Sequence, residues 1–299
     1  MRAWSSADFD VPLPEGHRFP APKYRLIREA VIARGIIPRD AVHTPDPADR
    51  TDLARAHTDR YLDAMFDGTL TDAEQRRLGF PWSRGLLERS VRTVQATVEG
   101  ARDALTTGAG VNLAGGTHHA FADHGEGFCC FNDVVVATRV LRVSNPALRV
   151  AVVDLDVHQG NGTATLFADD PLSFTFSMHG ARNFPFKKEQ SSRDVELDDG
   201  MRDTEYLALL ERHLDEVLDE VRPDLLFYLG GSDPYEGDRF GRLGLSKEGL
   251  ARRDRRVFTA CRRRALPVVL TMSGGYAPDL SDIAEIHATT VHELRTICG

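Results

Sequence analysis

The sequence has few cysteines and no long apolar run, and both absences narrow what the chain can be. No segment approaches the length of a membrane span, and residues 1–16 lack the apolar core of a signal peptide. No C-x-x-C pair offers the spacing of a thiolate zinc site or a dithiol redox centre. We therefore expect reduced thiols, a cytoplasmic location and no membrane partner. The cysteines are Cys129, Cys130, Cys261 and Cys298.

Positive charge is also in deficit. The chain has 37 basic and 45 acidic residues, a formal net charge of -8, which opposes a general affinity for nucleic acid. An arginine-rich stretch at residues 252–264 is accordingly interpreted as a solvated helix face.

No repeat or flexible linker marks a domain boundary, and 41% of the 299 residues are hydrophobic. We expect one domain spanning residues 1–299.

The apolar pattern alternates between helices and short strands. Apolar residues in segments 87–105 and 207–221 recur at steps of three and four, which places them on one helical face. Asp203 is a candidate N-cap of the second helix. Short continuous apolar runs are typical of strands buried on both faces, so the chain is predicted to form an α/β fold with a covered parallel sheet. The strand candidates are residues 110–113, 149–153, 172–176, 225–229 and 267–270.

Polar or glycine-rich groups directly follow four of these strand candidates. In open parallel sheets, ligands bind beyond the carboxyl ends of the strands. We therefore expect the four groups to share one site. They are residues 154–158, 177–179, 230–233 and 273–276.

The Asp-x-Asp-x-His segment at residues 154–158 has the residue types of a metal site. The carboxylate of Asp156 and the imidazole of His158, two residues apart at a strand end, can point at one ion. Asp233 is a candidate third ligand from another strand. Three protein ligands leave one open position, which is typical of catalytic zinc. The alternative is a solvated loop.

Two further groups are candidates for catalysis. The adjacent His118 and His119 follow a glycine pair, and a histidine beside a metal site is a natural general base. The alternative is a pair of exposed loop histidines.

Tyr276, in Ser-Gly-Gly-Tyr, can donate its hydroxyl to a developing oxyanion, although a structural role is the alternative. Phe128, Phe184 and Phe186 flank these motifs and are candidate walls of an apolar channel, or simply core residues.

Taken together, these motifs resemble the histone deacetylase superfamily. The resemblance runs from residues 17–20 through 57–62 to 273–276, and so covers most of the chain. Residues 237–246 and Ser-Gly-Gly-Tyr are similar to the class IV branch and its bacterial relatives. The resemblance implies a single-domain, three-layer arginase/deacetylase fold with a mostly parallel, eight-stranded central sheet. It also implies zinc-dependent hydrolysis of the amide of an acyl-lysine or a related N-acylated amine.

The resemblance assigns the catalytic roles. His119 would be the general base and later the acid, while His118 would stabilise the transition state electrostatically. Tyr276 would hydrogen-bond the carbonyl oxygen as it becomes an oxyanion. The implied zinc ligands are Asp156, His158 and Asp233.

Substrate and cation contacts are also implied by the resemblance. Phe128 and Phe184 would enclose the acyl-lysine stem, the carbonyl of Gly127 would accept the substrate amide hydrogen, and Phe240 is placed with these substrate-binding residues. Asp154 would pair with the first histidine and help to bind a monovalent cation, usually potassium. The other cation ligands would be Ser177 and the carbonyls of Asp156, His158 and Met178.

One catalytic position departs from the class I pattern. Asn161 stands where that branch has an aspartate behind the general base. An amide can fix the tautomer of His119 but supplies no negative charge, so the base should protonate less readily.

Several alternatives stay open. A binuclear manganese ureohydrolase shares the implied fold but would have D-x-H-x-D where this chain has D-x-D-x-H. A non-catalytic acyl-lysine binding module is a second alternative. The acylated amine could belong to a protein, a polyamine or a small metabolite, and the acyl group could be acetyl or a longer chain. The choice of zinc or iron and the oligomeric state are equally open.

Overall fold

All eight strands belong to one sheet in which every neighbouring pair runs parallel. The computed structural model describes residues 1–299. The spatial order of the strands is β2-β1-β3-β8-β7-β4-β5-β6. Their bounds are β1 (Ala3–Trp4), β2 (Val42–His43), β3 (Ala109–Asn112), β4 (Val150–Asp154), β5 (Ser173–Gly180), β6 (Arg193–Leu197), β7 (Leu225–Leu229) and β8 (Val268–Thr271).

Helices cover both faces of this sheet. In β7, Leu225 and Phe227 pack into one hydrophobic core, whereas Leu226 and Tyr228 pack into the other. Because alternate residues of a strand point to opposite faces, each face has its own core and the molecule has three layers. The helices are α1 (Lys23–Ala33), α2 (Arg50–Leu53), α3 (Asp59–Asp67), α4 (Asp72–Leu78), α5 (Arg84–Thr107), α6 (Asp133–Ser144), α7 (Asn161–Phe167), α8 (Asp203–Val221), α9 (Lys247–Arg263) and α10 (Leu280–Cys298).

The expected eight-stranded sheet and layered α/β architecture are confirmed, and the sheet is entirely parallel. The predictions for β3, β4, β7 and β8 are correct to within one residue at each end. β5 extends to Gly180, so residues 177–179 lie inside the strand instead of following it. The sequence pattern missed β1, β2 and β6, because the first two have two residues each and β6 is a partly exposed, charged edge strand.

The predicted helical faces are buried in α5 and α8, except that Leu105 is 42% exposed and Leu207 is half-buried. The proposed cap at Asp203 is wrong, because α8 begins at that residue and Arg202 occupies the N-cap. The Asp203 carboxylate instead accepts hydrogen bonds from the backbone nitrogen and hydroxyl of Ser246, at 2.9 and 2.6 Å. It therefore links the start of α8 to the start of α9.

The arginine-rich stretch lies mainly on α9, and Arg253 does not fit the interpretation as a solvated face. Its guanidinium is fully buried and pairs with Asp254 at 2.8 Å. It also donates to the carbonyls of Leu155 and Gly231, at 3.2 and 2.7 Å. Arg253 therefore ties together the loops after β4 and β7.

All four cysteines are buried free thiols, as expected. None of the helices combines the length and apolar composition needed to cross a membrane.

Candidate metal-dependent active site

Residues from several strand ends meet at one cavity. Its volume is about 610 Å³, and its lining includes His119, His158 and Tyr276 together with Gly127 and Phe184. Because the strands are parallel, their carboxyl ends all lie at this edge of the sheet. Of the four predicted groups, residues 154–158 and 273–276 contribute to the lining of this cavity, and Asp233 of a third group lies beside His158.

Asp156, His158 and Asp233 form a compact, buried cluster. One potential ligand atom from each lies within 4.8 Å of the others. His158 Nδ1 is 2.9 Å from Asp156 Oδ1 and 3.2 Å from Asp233 Oδ2. Asp233 Oδ2 is buried without a hydrogen-bond partner. An unsatisfied buried carboxylate oxygen is costly unless a cation occupies the space that it faces.

The electrostatics of this cluster also fit a cation. Burial and the neighbouring Asp156 charge raise the pKa of Asp233 to about 7. Burial alone would lower the pKa of His158, but the neighbouring carboxylates of Asp156 and Asp233 raise it to about 10. Two carboxylates and one imidazole suit a divalent metal such as zinc, and three protein ligands leave room for substrate or water. These residues therefore fit the metal that the sequence predicts.

The turn after β8 holds the cluster in place. Gly274 donates its backbone nitrogen to Asp156 Oδ2 at 2.6 Å, and the Ser273 hydroxyl donates to the same oxygen at 2.8 Å. On the other side, the backbone nitrogen of Val157 donates to Asp233 Oδ1 at 2.9 Å. A Cβ atom on Gly274 would overlap Asp233 Oδ2. A glycine is therefore required where this backbone passes the carboxylates.

His118 and His119 lie side by side but have opposite proton affinities. His118 Nδ1 is 2.6 Å from Asp154 Oδ2, and although burial opposes protonation, Asp154 and Asp156 raise its pKa to about 9. Burial and the charges of His118 and His158 hold the pKa of His119 well below its usual value. Paired groups whose pKa values are pushed apart are typical of acid-base sites. These shifts favour a neutral His119 beside a cationic His118.

The tautomer of His119 follows from its hydrogen-bond partners. His119 Nδ1 is 2.7 Å from Asn161 Oδ1, as the family resemblance implies for a residue behind the base. The Asn161 amide nitrogen donates to Glu126 Oε1 at 3.1 Å, which turns the amide oxygen toward His119. Nδ1 must then carry the proton, so Nε2 is free to accept one. Glu126 was not predicted, because nothing in its local pattern marks it.

Tyr276 stands against the same cavity. Burial and the charges of Asp233 and Asp156 raise the pKa of its phenol well above the usual value, so the hydroxyl stays protonated and can donate. Its backbone nitrogen donates to Asp238 at 2.6 Å. The buried Lys23 ammonium donates to the carbonyls of Ser273 and Gly275, at 3.4 and 3.1 Å, and lies 5.0 Å from the Tyr276 ring centroid. Lys23 therefore supports the turn that carries the phenol.

Aromatic rings line the way to the cluster. Phe184 packs edge-on against His119 at a centroid distance of 5.0 Å, and Phe240 lies 4.9 Å from Tyr276. Phe128 has a left-handed backbone with φ +67°, an uncommon conformation for a bulky residue. Gly127 passes so close to His119 that a Cβ atom would lie 2.7 Å from the imidazole ring. The four predicted substrate residues therefore share this cavity.

The predicted cation ligands lie behind the histidine pair. Asp154 and Ser177 occupy neighbouring positions in register on β4 and β5, and both are buried. Ser177 Oγ is 2.9 Å from His179 Nδ1.

Unlike Phe128 and Phe184, the third aromatic wall candidate, Phe186, is 86% exposed at the cavity rim and does not contribute to a buried wall.

Two supporting residues, Lys23 and Arg253, carried a signal in the sequence. Lys23 precedes Ile27 by four positions in α1, and Arg253 follows Leu250 by three in α9. Each cation thus stands on the apolar face of its helix, where a charged residue requires a buried partner.

The fold and the site together define a metal-dependent enzyme built on a parallel α/β sheet. The family profile described as histone deacetylase domain matches residues 17–294, and the chain belongs to the histone deacetylase family. An uncharacterised protein of Picosynechococcus is 44% identical over 290 residues, which cover 97% of each chain. Histone deacetylase 2 of Arabidopsis thaliana is 28% identical over 302 residues, covering 97% of this chain and 77% of that one.

A solved structure shares the fold. The crystal structure of a histone deacetylase homologue from Aquifex aeolicus superimposes with a TM-score of 0.81 at 22% identity, covering 99% of this chain and 84% of that one.

Proposed function

We propose that this chain is a zinc-dependent deacylase that hydrolyses the amide of an acyl-lysine or a related N-acylated amine. The observation that carries the proposal is the meeting of three elements at one cavity: the Asp156, His158 and Asp233 cluster, the imidazole of His119 and the phenol of Tyr276. Residues 1–299 act as one catalytic domain in this proposal.

Zinc held by Asp156, His158 and Asp233 would act as a Lewis acid on the acyl carbonyl and favour ionisation of water. His119 Nε2 accepts the proton of the attacking water and later delivers it to the leaving amine nitrogen. Tyr276 donates its hydroxyl to the carbonyl oxygen as negative charge develops there. His118, kept cationic by Asp154, stabilises the same charge from behind. The products are a carboxylate and a free amine.

The acylated arm would enter between Phe128 and Phe184, with the carbonyl of Gly127 accepting the amide hydrogen. Asp154 and Ser177 would help to bind potassium, which would hold the strand ends beneath His118. These assignments rest on the shared cavity and on the register of β4 and β5.

The binuclear alternative has little support in the geometry. The structure contains one group of three potential metal ligands, at Asp156, His158 and Asp233. The remaining carboxylate at the strand end, Asp154, is engaged with His118. A second ion would lack the bridging carboxylates that its chemistry requires.

The proposal can be tested by metal analysis combined with release of free amine from an acetyl-lysine peptide. We expect about one zinc per chain and turnover, and expect Asp233→Asn to lose both. Asp219→Asn, the same change at an exposed surface ion pair, is the control and should retain both. Peptide binding without turnover would instead indicate a non-catalytic module, and a requirement for two manganese ions would indicate the ureohydrolase chemistry.

A further inference from the structure

Exposed arginines surround the entrance of the active-site cavity. The 17 residues that line this cavity include no aspartate and no glutamate. A chain with a formal net charge of -8 thus concentrates positive charge at the mouth of its site. These rim arginines are Arg18, Arg76, Arg77, Arg182, Arg239 and Arg242.

Most of the rim charge is not neutralised by the protein. Arg182 and Arg242 share one exposed carboxylate, that of Asp199, at 3.8 and 3.2 Å. The other four rim arginines form no salt bridge. Unpaired arginines also occur elsewhere on the surface, as at Arg252 and Arg262 on α9. The rim differs in that six arginines line one cavity whose lining contains no acidic residue.

Carboxylates close to the cavity are already engaged. Asp238 accepts hydrogen bonds from the backbone nitrogens of Phe240, Gly241 and Tyr276. Glu126 accepts from Asn161 and also lies 3.8 Å from His124. Neither acid forms a salt bridge with a rim arginine, although the charge of Arg77 contributes to lowering the pKa of Glu126.

The rim arginines come from four separate parts of the chain. Arg18 precedes α1, Arg76 and Arg77 lie at the end of α4, Arg182 follows β5, and the remaining two follow β7. Charged residues on one solvated helix face would be unremarkable. Their convergence from four segments around one entrance instead indicates a common ligand.

We propose that the substrate carries negative charge beside its acylated amine, and that the rim arginines bind these carboxylate or phosphate groups. This inference rests on the proposed function and narrows its substrate class. Guanidinium groups match both kinds of anion geometrically, and a cleft lined by one sign of charge attracts oppositely charged substrates. The rim therefore selects acidic acyl-lysine segments or small anionic N-acylated amines over acetylpolyamines and lysine-rich tails.

Matched substrates that differ only in charge test the proposal. Three dye-labelled peptides would present one acetyl-lysine flanked by glutamate, glutamine or lysine, and a small N-acetylated amine would be compared with its phosphorylated form. Binding is followed by fluorescence polarisation and turnover by amine release, each at low and high salt. We expect affinity and kcat/KM to be about tenfold higher for the preferred anionic substrate than for its neutral counterpart. This difference should shrink at high salt.

The double variant Arg76→Gln, Arg77→Gln should reduce the ratio of kcat/KM for the anionic substrate to kcat/KM for the neutral one by about threefold or more. Arg252→Gln is the matched control, because Arg252 is an exposed arginine of α9 without a salt bridge, and it should leave that ratio unchanged. A preference for the anionic substrate that is seen only among the peptides would support the proposal and identify carboxylates as the recognised groups. The same preference seen only for the phosphorylated amine would support it and identify phosphate.

Equal affinity and kcat/KM for anionic and neutral substrates, or a preference for the lysine-flanked peptide, would overturn the inference while leaving the deacylase proposal intact. Absence of turnover on every acyl amide would instead refute the deacylase proposal. In that case, tighter binding of the glutamate-flanked peptide than of the other two peptides would still support anion recognition at the rim. Binding that does not depend on peptide charge would refute it.

Discussion

Replacing Gly274 by alanine should disrupt the metal site without changing any ligand. A Cβ atom there would overlap Asp233 Oδ2 and would lie 2.6 Å from Asp156 Oδ2 and 2.8 Å from Asp233 Cγ. Ordinary contacts begin at 3.4 Å, so Asp156 Oδ2 and Asp233 Cγ must move by roughly 0.6–0.8 Å and Asp233 Oδ2 by more. Metal-ligand distances tolerate only about 0.2 Å.

The expected loss of metal affinity in Gly274→Ala follows from this displacement. Changes to groups that merely support the ligands cost about 10–100-fold in metal affinity. A change that moves two ligands directly should cost at least about 100-fold, or about 2.8 kcal/mol. Zinc affinity would be measured by competition with a chelator, together with the metal content of the purified protein.

A buried glycine elsewhere provides the control for Gly274→Ala. In Gly100→Ala, the new Cβ would meet its nearest atom, from Val269, at an ordinary 3.5 Å, and α5 tolerates alanine well. This variant should keep wild-type zinc affinity. If Gly274→Ala also kept it, the assignment of Asp156 and Asp233 as metal ligands would be refuted.

Three further predictions follow from single contacts. Tyr276→Phe should lower kcat by about 10²–10³-fold while zinc content is retained, because it removes the oxyanion donor; near-normal kcat would exclude that role. Asn161→Asp should raise the pKa of His119 by adding a negative charge, so the acidic limb of the pH-rate profile should move to higher pH; an unchanged limb would count against the pairing. Arg253→Met should lower the free energy of unfolding by about 3–5 kcal/mol, because it leaves the Asp254 carboxylate buried without its cation. Chemical denaturation would measure this loss against the exposed-surface control Arg252→Met, and equal stability of the two variants would contradict it.

Much of the site could be predicted from the sequence because the required pattern is local. Strands buried on both faces appear as continuous apolar runs, and parallel strands bring their carboxyl ends to one edge. Asp156, His158 and Asp233 follow two such runs, which is why the pattern alone places them together. Tyr276 follows a third run and is placed with them for the same reason.

Other features depend on surfaces that are distant in sequence and meet only in the folded chain. The orientation of Asn161 depends on Glu126, and local periodicity says nothing about that contact. Lys23 and Arg253 stand on apolar helix faces, but their buried carbonyl partners are provided by loops on other elements. The limits of β5 depend on pairing with β6 at the edge of the sheet.

The sequence by itself determined the alternation of strands and helices and the chemistry at the strand ends, since both are encoded within short segments. The tertiary structure alone decided which supporting charges are buried, how His119 holds its proton and where the free arginines gather. Those properties depend on long-range packing, because a charge acquires its function from the neighbours that folding brings to it.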